Sequence, residues 1–382
     1  MLKKIKQWFL DWGQDQNLQK KQLNILIVRA DRLGDVVLST PVFDVVKRHY
    51  SKSKLSVLAR SQVRPILEGL ASVDTFFTFD PDGVHSGFRG FIRLYQQIRA
   101  SQFVIAIVLQ SNWKIALALY LARVKYRVGP LSKLHSYFYY NRGVRQRRSH
   151  VEMHETDYNL QLLRRLGIRV GTRNVPTQVA LSEQSVQSAR QWLLSQGWNP
   201  AQPLIVIHPG MGGSALNWPE AHYVELTKSL AAEGRQLLIS GGALEVSLLD
   251  RFERELEKST SRVMFFKNRG EYSVDFLGVL FSFAELVIAP STGPLHLAVA
   301  LGKPVVTFFP PIRVQSALRW GPYVRDESRA SILVPEVYCG QDFKCIGNLC
   351  HYYPCMKGIT VKQALNQVKS HLKESEDHAK KD

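Results

Sequence analysis

Four short segments combine glycine with carboxylate, hydroxyl or imidazole side chains, the mixture needed to hold a phosphate and to move a proton. The first is Val28-Arg29-Ala30-Asp31-Arg32-Leu33-Gly34-Asp35. Gly34 permits a tight turn, and Asp35 falls at or near a helix N-terminus, where it can cap the helix or face a cleft. A carboxylate in a cleft can take the proton of an attacking hydroxyl as a general base. Asp31 competes for that role, and Arg29 or Arg32 can bind an anionic ligand group.

The second segment, Ile207–Ser214, carries Gly210, Gly212, Gly213 and Ser214. Their backbone N–H groups, ahead of a helix starting near Pro219, suit a diphosphate, although a plain loop has the same composition. It is neither the dinucleotide fingerprint nor a P-loop with its lysine. The third, Ser240–Glu245, places Glu245 where an acidic side chain can hold ribose hydroxyls. The fourth runs Ala289-Pro290-Ser291-Thr292-Gly293-Pro294-Leu295-His296. Ser291 or Thr292 can cap a helix whose first turn takes Pro294. The free N–H groups and helix dipole there favour a phosphate. His296 can add a hydrogen bond to it or serve in helix packing.

These segments need elements to aim them. After Lys21, apolar runs alternate with amphipathic stretches. Strands are expected at Asn24–Val28, Lys54–Leu58, Thr75–Phe79 and Phe103–Val108, with helices near Val36–His49, Gln62–Leu67, Phe88–Ile98 and Trp113–Ala122. Residues 124–150, basic and aromatic, read as an irregular excursion, and His154–Leu166 as a closing helix. A second series opens with a helix near Glu183–Gln196. Its strands are expected at Leu204–Ile207, Gln236–Ser240, Arg262–Phe265, Leu286–Ala289 and Val305–Phe308. Strand–helix alternation signals parallel βαβ units. The expected organisation is a basic amphipathic segment (1–20), two Rossmann-like domains (21–175 and 176–360) and a C-terminal helix with a charged tail (361–382). Each of the four segments then follows a strand, the usual place for ligands in open α/β sheets.

The 382 residues carry a formal charge of +18. No acidic residue lies between Asp82 and Glu152, an interval holding 12 Lys and Arg. A one-sign region concentrates anions, so nucleic acid, anionic headgroups or a phosphorylated substrate are the partner classes; generic solubility charge is the plainer alternative. No recognition-helix or RNP-like pattern supports nucleic acid. No run approaches the roughly 20 apolar residues that span a bilayer, and the N-terminus lacks a secretory signal. A cytoplasmic protein is therefore expected. Leu2, Ile5, Phe9 and Trp12 repeat at helical spacing among lysines, as in a helix lying at a membrane interface or packed on the protein body. All four cysteines, Cys339, Cys345, Cys350 and Cys355, fall within 17 residues. The clustering invites a structural Cys₄ zinc or iron site, while the absence of a C-x₂-C knuckle favours free thiols.

Taken together, "ILIVRADRLGDVVLSTPV", "VIHPG…NWP", "ISGGALE" and "APSTGPLHLAVALGKPVV" resemble the lipopolysaccharide heptosyltransferases, glycosyltransferase family 9. Lesser matches are "YRVG", "HETDYNLQLLRRLG" and "CMKGIT". The resemblance implies a GT-B fold, two Rossmann-like domains facing each other across a cleft. It further implies an inverting, metal-independent transfer from an ADP-activated heptose to the anionic inner core of lipopolysaccharide, at the inner face of a bacterial inner membrane. Carried over by motif, Asp35 would be the general base. Gly210, Gly212, Gly213 and Ser214, with Ser291, Thr292, Gly293, Pro294 and His296, would hold the donor, and Glu245 its ribose. By charge rather than motif, Arg32, Arg60, Arg64 and Arg127 would meet the acceptor. Two departures bear on the sugar. Leu216 stands where many members carry a basic residue, and Ser291 where many carry Asp. A nucleotide-sugar or glycolipid binder without catalysis is the competing reading.

Overall fold

The computed structural model describes residues 16–213, 215–256 and 263–379. The amphipathic stretch of residues 2–12 and Ser214 lie outside the described residues. The chain divides into two compact units: residues up to Arg148 with Glu155–Ala180, and Ser149–His154 with the chain from Leu181 onward. His154 and Glu155, neighbours in sequence, thus belong to different units.

The first unit is built on β1 (Asn24–Val28), β2 (Lys54–Ala59), β3 (Thr75–Thr78), β4 (Ile105–Val108), β5 (Tyr126–Pro130) and β6 (Arg142–Val144). All neighbours pair in parallel, in the order β3-β2-β1-β4-β5-β6. The central strand is an unbroken apolar run from Ile25 to Val28, buried throughout, as a strand covered on both faces must be. The second unit contains β7 (Leu204–Ile207), β8 (Gln236–Gly241), β9 (Val263–Lys267), β10 (Leu286–Pro290), β11 (Val305–Phe308) and β12 (Ala330–Leu333), also parallel, in the order β12-β11-β10-β7-β8-β9. Counted from its own first strand, each sheet has the doubly wound order 3-2-1-4-5-6. In that order the connections on either side of the first strand run in opposite directions, opening a crevice at the carboxyl ends of the first and fourth strands. The loops after β1, β7 and β10, which carry three of the four candidate segments, lie at these two crevices.

Three expectations need correction. Residues 124–150 are not an irregular excursion: they form β5, the helix Leu134–Tyr139 and β6. Arg127, Gly129, Pro130, Arg142 and Gly143 interrupt the apolar pattern of these short strands toward the sheet edge. The single helix expected over Val36–His49 is two, Leu33–Val37 and Thr40–His49. Pro41 opens the second, which its missing N–H suits only at a helix start. The edge strand β12 had no counterpart in the sequence reading.

In the second unit the C-terminal helix Val361–Ala379 is part of the core. Ala364, Val368 and Leu372 recur every fourth residue and are buried with β7, β8 and β10. Trp218 closes that core: its ring stacks on Phe308 at 4.2 Å and its Nε1 donates to the carbonyl of Ile359 at 2.8 Å. Trp218→Ala therefore leaves both a cavity and an unsatisfied carbonyl, and is expected to cost about 3–5 kcal/mol, read from urea unfolding.

Candidate active site

In the first unit the loop after β1 is organised by one buried cation. The side chain of Arg29 is 2% exposed. Its Nη2 donates to Asp35 Oδ1 at 2.5 Å and its Nη1 to Glu155 Oε1 and Asn159 Oδ1, each at 3.4 Å. Its Nε stands 2.8 Å from Asp31 Oδ2, an ion pair without hydrogen-bond alignment. Burial draws the Arg29 guanidinium down, but Asp35, Glu155 and Asp31 together hold it above its ordinary value. Arg148 closes the network from the far side. It pairs with Glu155, and its Nη2 donates to Leu109 O at the end of β4 at 3.2 Å. Asn159 Nδ2 reaches Ser39 Oγ at 3.3 Å, and Ser39 Oγ donates to Asp35 O at 2.7 Å.

Asp35 is consequently not a helix cap. Arg32 occupies the cap position of Leu33–Val37, and the Asp35 side chain turns to Arg29 while remaining 23% exposed. Arg29 itself, enclosed by three carboxylates, has no free face for an anionic ligand. Burial pushes the Asp31 carboxyl up to about 6, against the pull of Arg29 and with the push of Asp35 and Glu155. Asp31 (17% exposed) and Asp35 (23%) both reach solvent and share the one cation. Glu155 and Asn159 lie within the matched stretch HETDYNLQLLRRLG and Arg148 within the acid-free interval, but none of the three was singled out as a site residue from the sequence.

The four arginines proposed for an acceptor separate. Arg60 lies at the same edge: Nε donates to Ala30 O at 3.3 Å, and Nη1 pairs with exposed Asp82 at 3.2 Å. Arg32 is exposed immediately before the helix. Arg64 forms a two-point pair with Glu68, both bonds at 2.8 Å, on the solvent side of its short helix. Arg127 is a correction. It sits near the amino end of β5, its Nε and Nη1 donating to the carbonyls of Tyr139 and Val124 at 2.6 and 2.5 Å. Its guanidinium thus ties the chain entering β5 to the end of the helix Leu134–Tyr139.

In the second unit the glycine loop follows β7. Gly213 has φ +72, a left-handed conformation that disfavours side chains, and open space surrounds Gly212 and Gly213. Gly210 has a different reason: a Cβ there would fall 2.3 Å from Glu245 Cγ. Glu245 in turn accepts the Gly242 N–H at 2.9 Å, leaving its other oxygen outside that turn. Asn217 Nδ2 donates to Pro209 O at 2.8 Å, so the Asn-Trp-Pro motif clamps the loop. Leu216, in the place of the basic residue, packs against the apolar core.

After β10 comes the helix Gly293–Ala300 with Thr292 at its cap and Pro294 in its first turn. The Thr292 side chain makes no capping bond, and the first turn holds no acidic residue. Ser291 is buried just before it. Such an end suits an anion. His296, one turn in, is buried, and its Nδ1 has no hydrogen-bond partner among the described residues. Burial, with His154 adding to it, lowers its pKa to about 3. His154 Nε2 meets Gly321 O at 2.9 Å, which fixes it as the donor. His208, at the end of β7, lies 3.1 Å from Ser240 Oγ and is lowered to about 4 by burial.

The cysteines are free thiols on a loop of short turns. Cys345 Sγ accepts the Gly347 N–H at 3.3 Å. Burial first, then Cys339, Cys345 and Cys350, raise the Cys355 thiol. Among the described residues no group of three or more His, Cys, Asp or Glu side chains is arranged to hold a metal ion.

Two doubly wound sheets, one with a carboxylate at its crevice and the other with an anion-ready helix end, make up two Rossmann-like domains of the GT-B type. The chain belongs to glycosyltransferase family 9: the model of that family, described as glycosyltransferase family 9 (heptosyltransferase), matches residues 91–348. A Haemophilus influenzae protein assigned as a glycosyltransferase is 32% identical over 304 residues, covering 78% of this chain and 85% of its own. Among solved structures, a family 9 glycosyl transferase from Veillonella parvula superimposes with TM-score 0.80 at 19% identity, over 92% of this chain and 98% of that one. The E. coli ADP-heptose lps heptosyltransferase II does so with TM-score 0.74 at 20% identity, over 93% and 100%.

Two measurements follow from this geometry. Removing Arg29 leaves three carboxylates crowded without their cation, so Arg29→Met is expected to lose about 3–5 kcal/mol in urea unfolding. The unfolded chain binds protons at His208 and His296 from about pH 6.5 downward, whereas the folded chain holds them neutral to about 4 and 3. Stability is therefore fully retained above pH 6.5 and falls as pH drops, by up to about 1.4 kcal/mol per pH unit for each histidine. His208→Asn, which can keep the Ser240 contact, should lower melting temperature less steeply on acidification than the parent does.

Proposed function

We propose that this glycosyltransferase moves a heptose from ADP-heptose, with inversion, onto a lipopolysaccharide core or related surface glycan. The observation that carries this is Asp35. It is held at 2.5 Å by a buried arginine yet reaches solvent at the carboxyl end of the central strand. In this reading Asp35 takes the proton of the acceptor hydroxyl as its oxygen attacks the anomeric carbon. The bond from that carbon to the diphosphate oxygen breaks, and ADP departs with the electron pair. The N–H groups around Gly210–Gly213, the uncapped end of Gly293–Ala300 and the unpartnered His296 stabilise the departing phosphates. Glu245 receives the ribose. No metal ion is assigned a role. Arg60 and Arg32, on the edge that bears Asp35, meet acceptor anions, and the acid-free interval draws the chain to the anionic inner face of the membrane. The E. coli protein that shares the fold is an ADP-heptose lps heptosyltransferase, which supports this donor and acceptor.

One observation favours a second reading of the donor. Leu216 is half-buried against the core and Ser291 is buried, so a basic residue and an aspartate common in the family are replaced by side chains that fit locally without them. A different sugar nucleotide is accommodated by the same chemistry.

Turnover of labelled ADP-heptose against other sugar nucleotides, with a lipid-linked acceptor, tests both readings. Asp35→Asn should lower kcat by roughly 10²–10⁴ with little change in donor KM. Asp31→Asn, which removes the more buried carboxylate, should retain most activity. Retained transfer in Asp35→Asn, or full loss only in Asp31→Asn, would reassign the base.

A further inference from the structure

Eight large apolar side chains in the acid-free interval are exposed, among them Phe88 (78% exposed), Leu134 (77%), Phe138 (70%), Tyr137 and Trp113, with Tyr120 and Leu121 at the far end of the helix that Trp113 opens. The position of Phe88, Trp113 and Leu134 follows from the topology, and Phe138 lies one turn beyond Leu134 on the same helix face. The helices Gly87–Ala100, Trp113–Leu121 and Leu134–Tyr139 follow β3, β4 and β5, and the middle one packs against the other two. In a parallel sheet the helix after each strand starts at the carboxyl end of that strand, so these starts share one edge. Phe88 is the second residue of its helix, while Trp113 and Leu134 are the first of theirs. This is the edge at which the loop after β1 presents Asp35.

Exposed apolar groups on one edge signal something that covers them. The charges around them select the occupant. Arg89, Lys114 and Lys133 adjoin Phe88, Trp113 and Leu134 in sequence, Arg145 and Arg147 follow β6, and no acidic residue intervenes from 83 to 151. Aromatic and aliphatic side chains among cations match the boundary of an anionic bilayer, where rings and branched chains enter the acyl margin and cations meet headgroup phosphates. Nucleic-acid surfaces instead use aromatic faces on which bases stack, and Leu134, among the most exposed of the group, offers none.

We propose that this edge of the first unit docks on an anionic bilayer, with Phe88, Trp113, Leu134 and Phe138 entering the headgroup layer and Arg89, Lys114 and Lys133 meeting lipid phosphates. The inference rests on the reading of the acceptor as lipid-linked, and it names the surface that brings such an acceptor to the Asp35 edge.

The test is sedimentation of the full chain with phosphatidylglycerol/phosphatidylethanolamine vesicles and with pure phosphatidylcholine vesicles. The parent should bind the anionic vesicles and not the neutral ones. The triple variant Phe88→Ser/Leu134→Ser/Phe138→Ser, changed only at exposed positions, should bind roughly tenfold or more weakly. Its transfer to a soluble, deacylated acceptor should be unchanged. Parent-like vesicle binding by the triple variant overturns the proposal. So does a parent dimer that the triple variant converts to monomer with no change in vesicle binding, because a second copy then covers the edge. Preference of the parent for single-stranded RNA over vesicles overturns it as well. Failure of the parent to transfer sugar to the soluble acceptor would strike the functional reading and leave the vesicle result standing.

Discussion

The candidate chemistry depends on a guanidinium out of water. An arginine with almost no exposure is tolerable only where carboxylates surround it, because an uncompensated buried charge costs far more than a fold of this size can absorb. Arg29 meets that condition with groups from two parts of the chain: Asp31 and Asp35 from its own loop, and Glu155 from the helix Glu155–Gln161. Arg148 then couples Glu155 to the end of β4. The crevice between β1 and β4 is thus bridged by an ionic lattice, and the direction of the Asp35 carboxylate is set by that lattice rather than by its own short helix. Charge balance also accounts for Asp31, which is partly buried and has only a shared claim on the cation.

The second unit meets a similar requirement with different means. Its crevice contains no comparable ion lattice among the described residues. It offers glycine backbone, an uncapped helix end and two imidazoles held neutral by burial. Neutral imidazoles beside a positive helix end avoid placing a full cation in an apolar core while still offering a polar nitrogen. One topology used twice therefore supplies two electrostatic environments, one suited to proton transfer and one to binding negative charge.

Much of this was legible in the sequence, because strands buried on both faces write themselves as apolar runs. β1, β7 and β11 match their expected residues, and the glycine-bearing loops were found by following those runs to their ends. β5 and β6 were not legible, since Arg, Gly and Pro in short strands erase the apolar pattern, and β12 was not because its four residues, Ala-Ser-Ile-Leu, are only partly buried at the sheet edge and make no apolar run. The partners of Arg29 were hidden for another reason. Glu155 and Asn159 lie 126 and 130 positions away, and no local rule links residues brought together only by the order of strands in a sheet. Arg127 misled because charge alone does not tell a ligand-binding guanidinium from one satisfied by two carbonyls. Gly210 was singled out correctly as a glycine, but for a phosphate. The structure adds a neighbouring side chain as the reason.

That last point reaches beyond this chain. Position 210 can be glycine only because something must fit against it, and Glu245 fits there only because 210 has no Cβ. Neither residue is free to drift alone. Among related sequences the two positions should covary: a larger residue at 210 should accompany a shorter or displaced side chain at 245. Since Glu245 is the group assigned to the ribose, the identity of one residue in the loop after β7 would then report indirectly on how a relative grips its nucleotide.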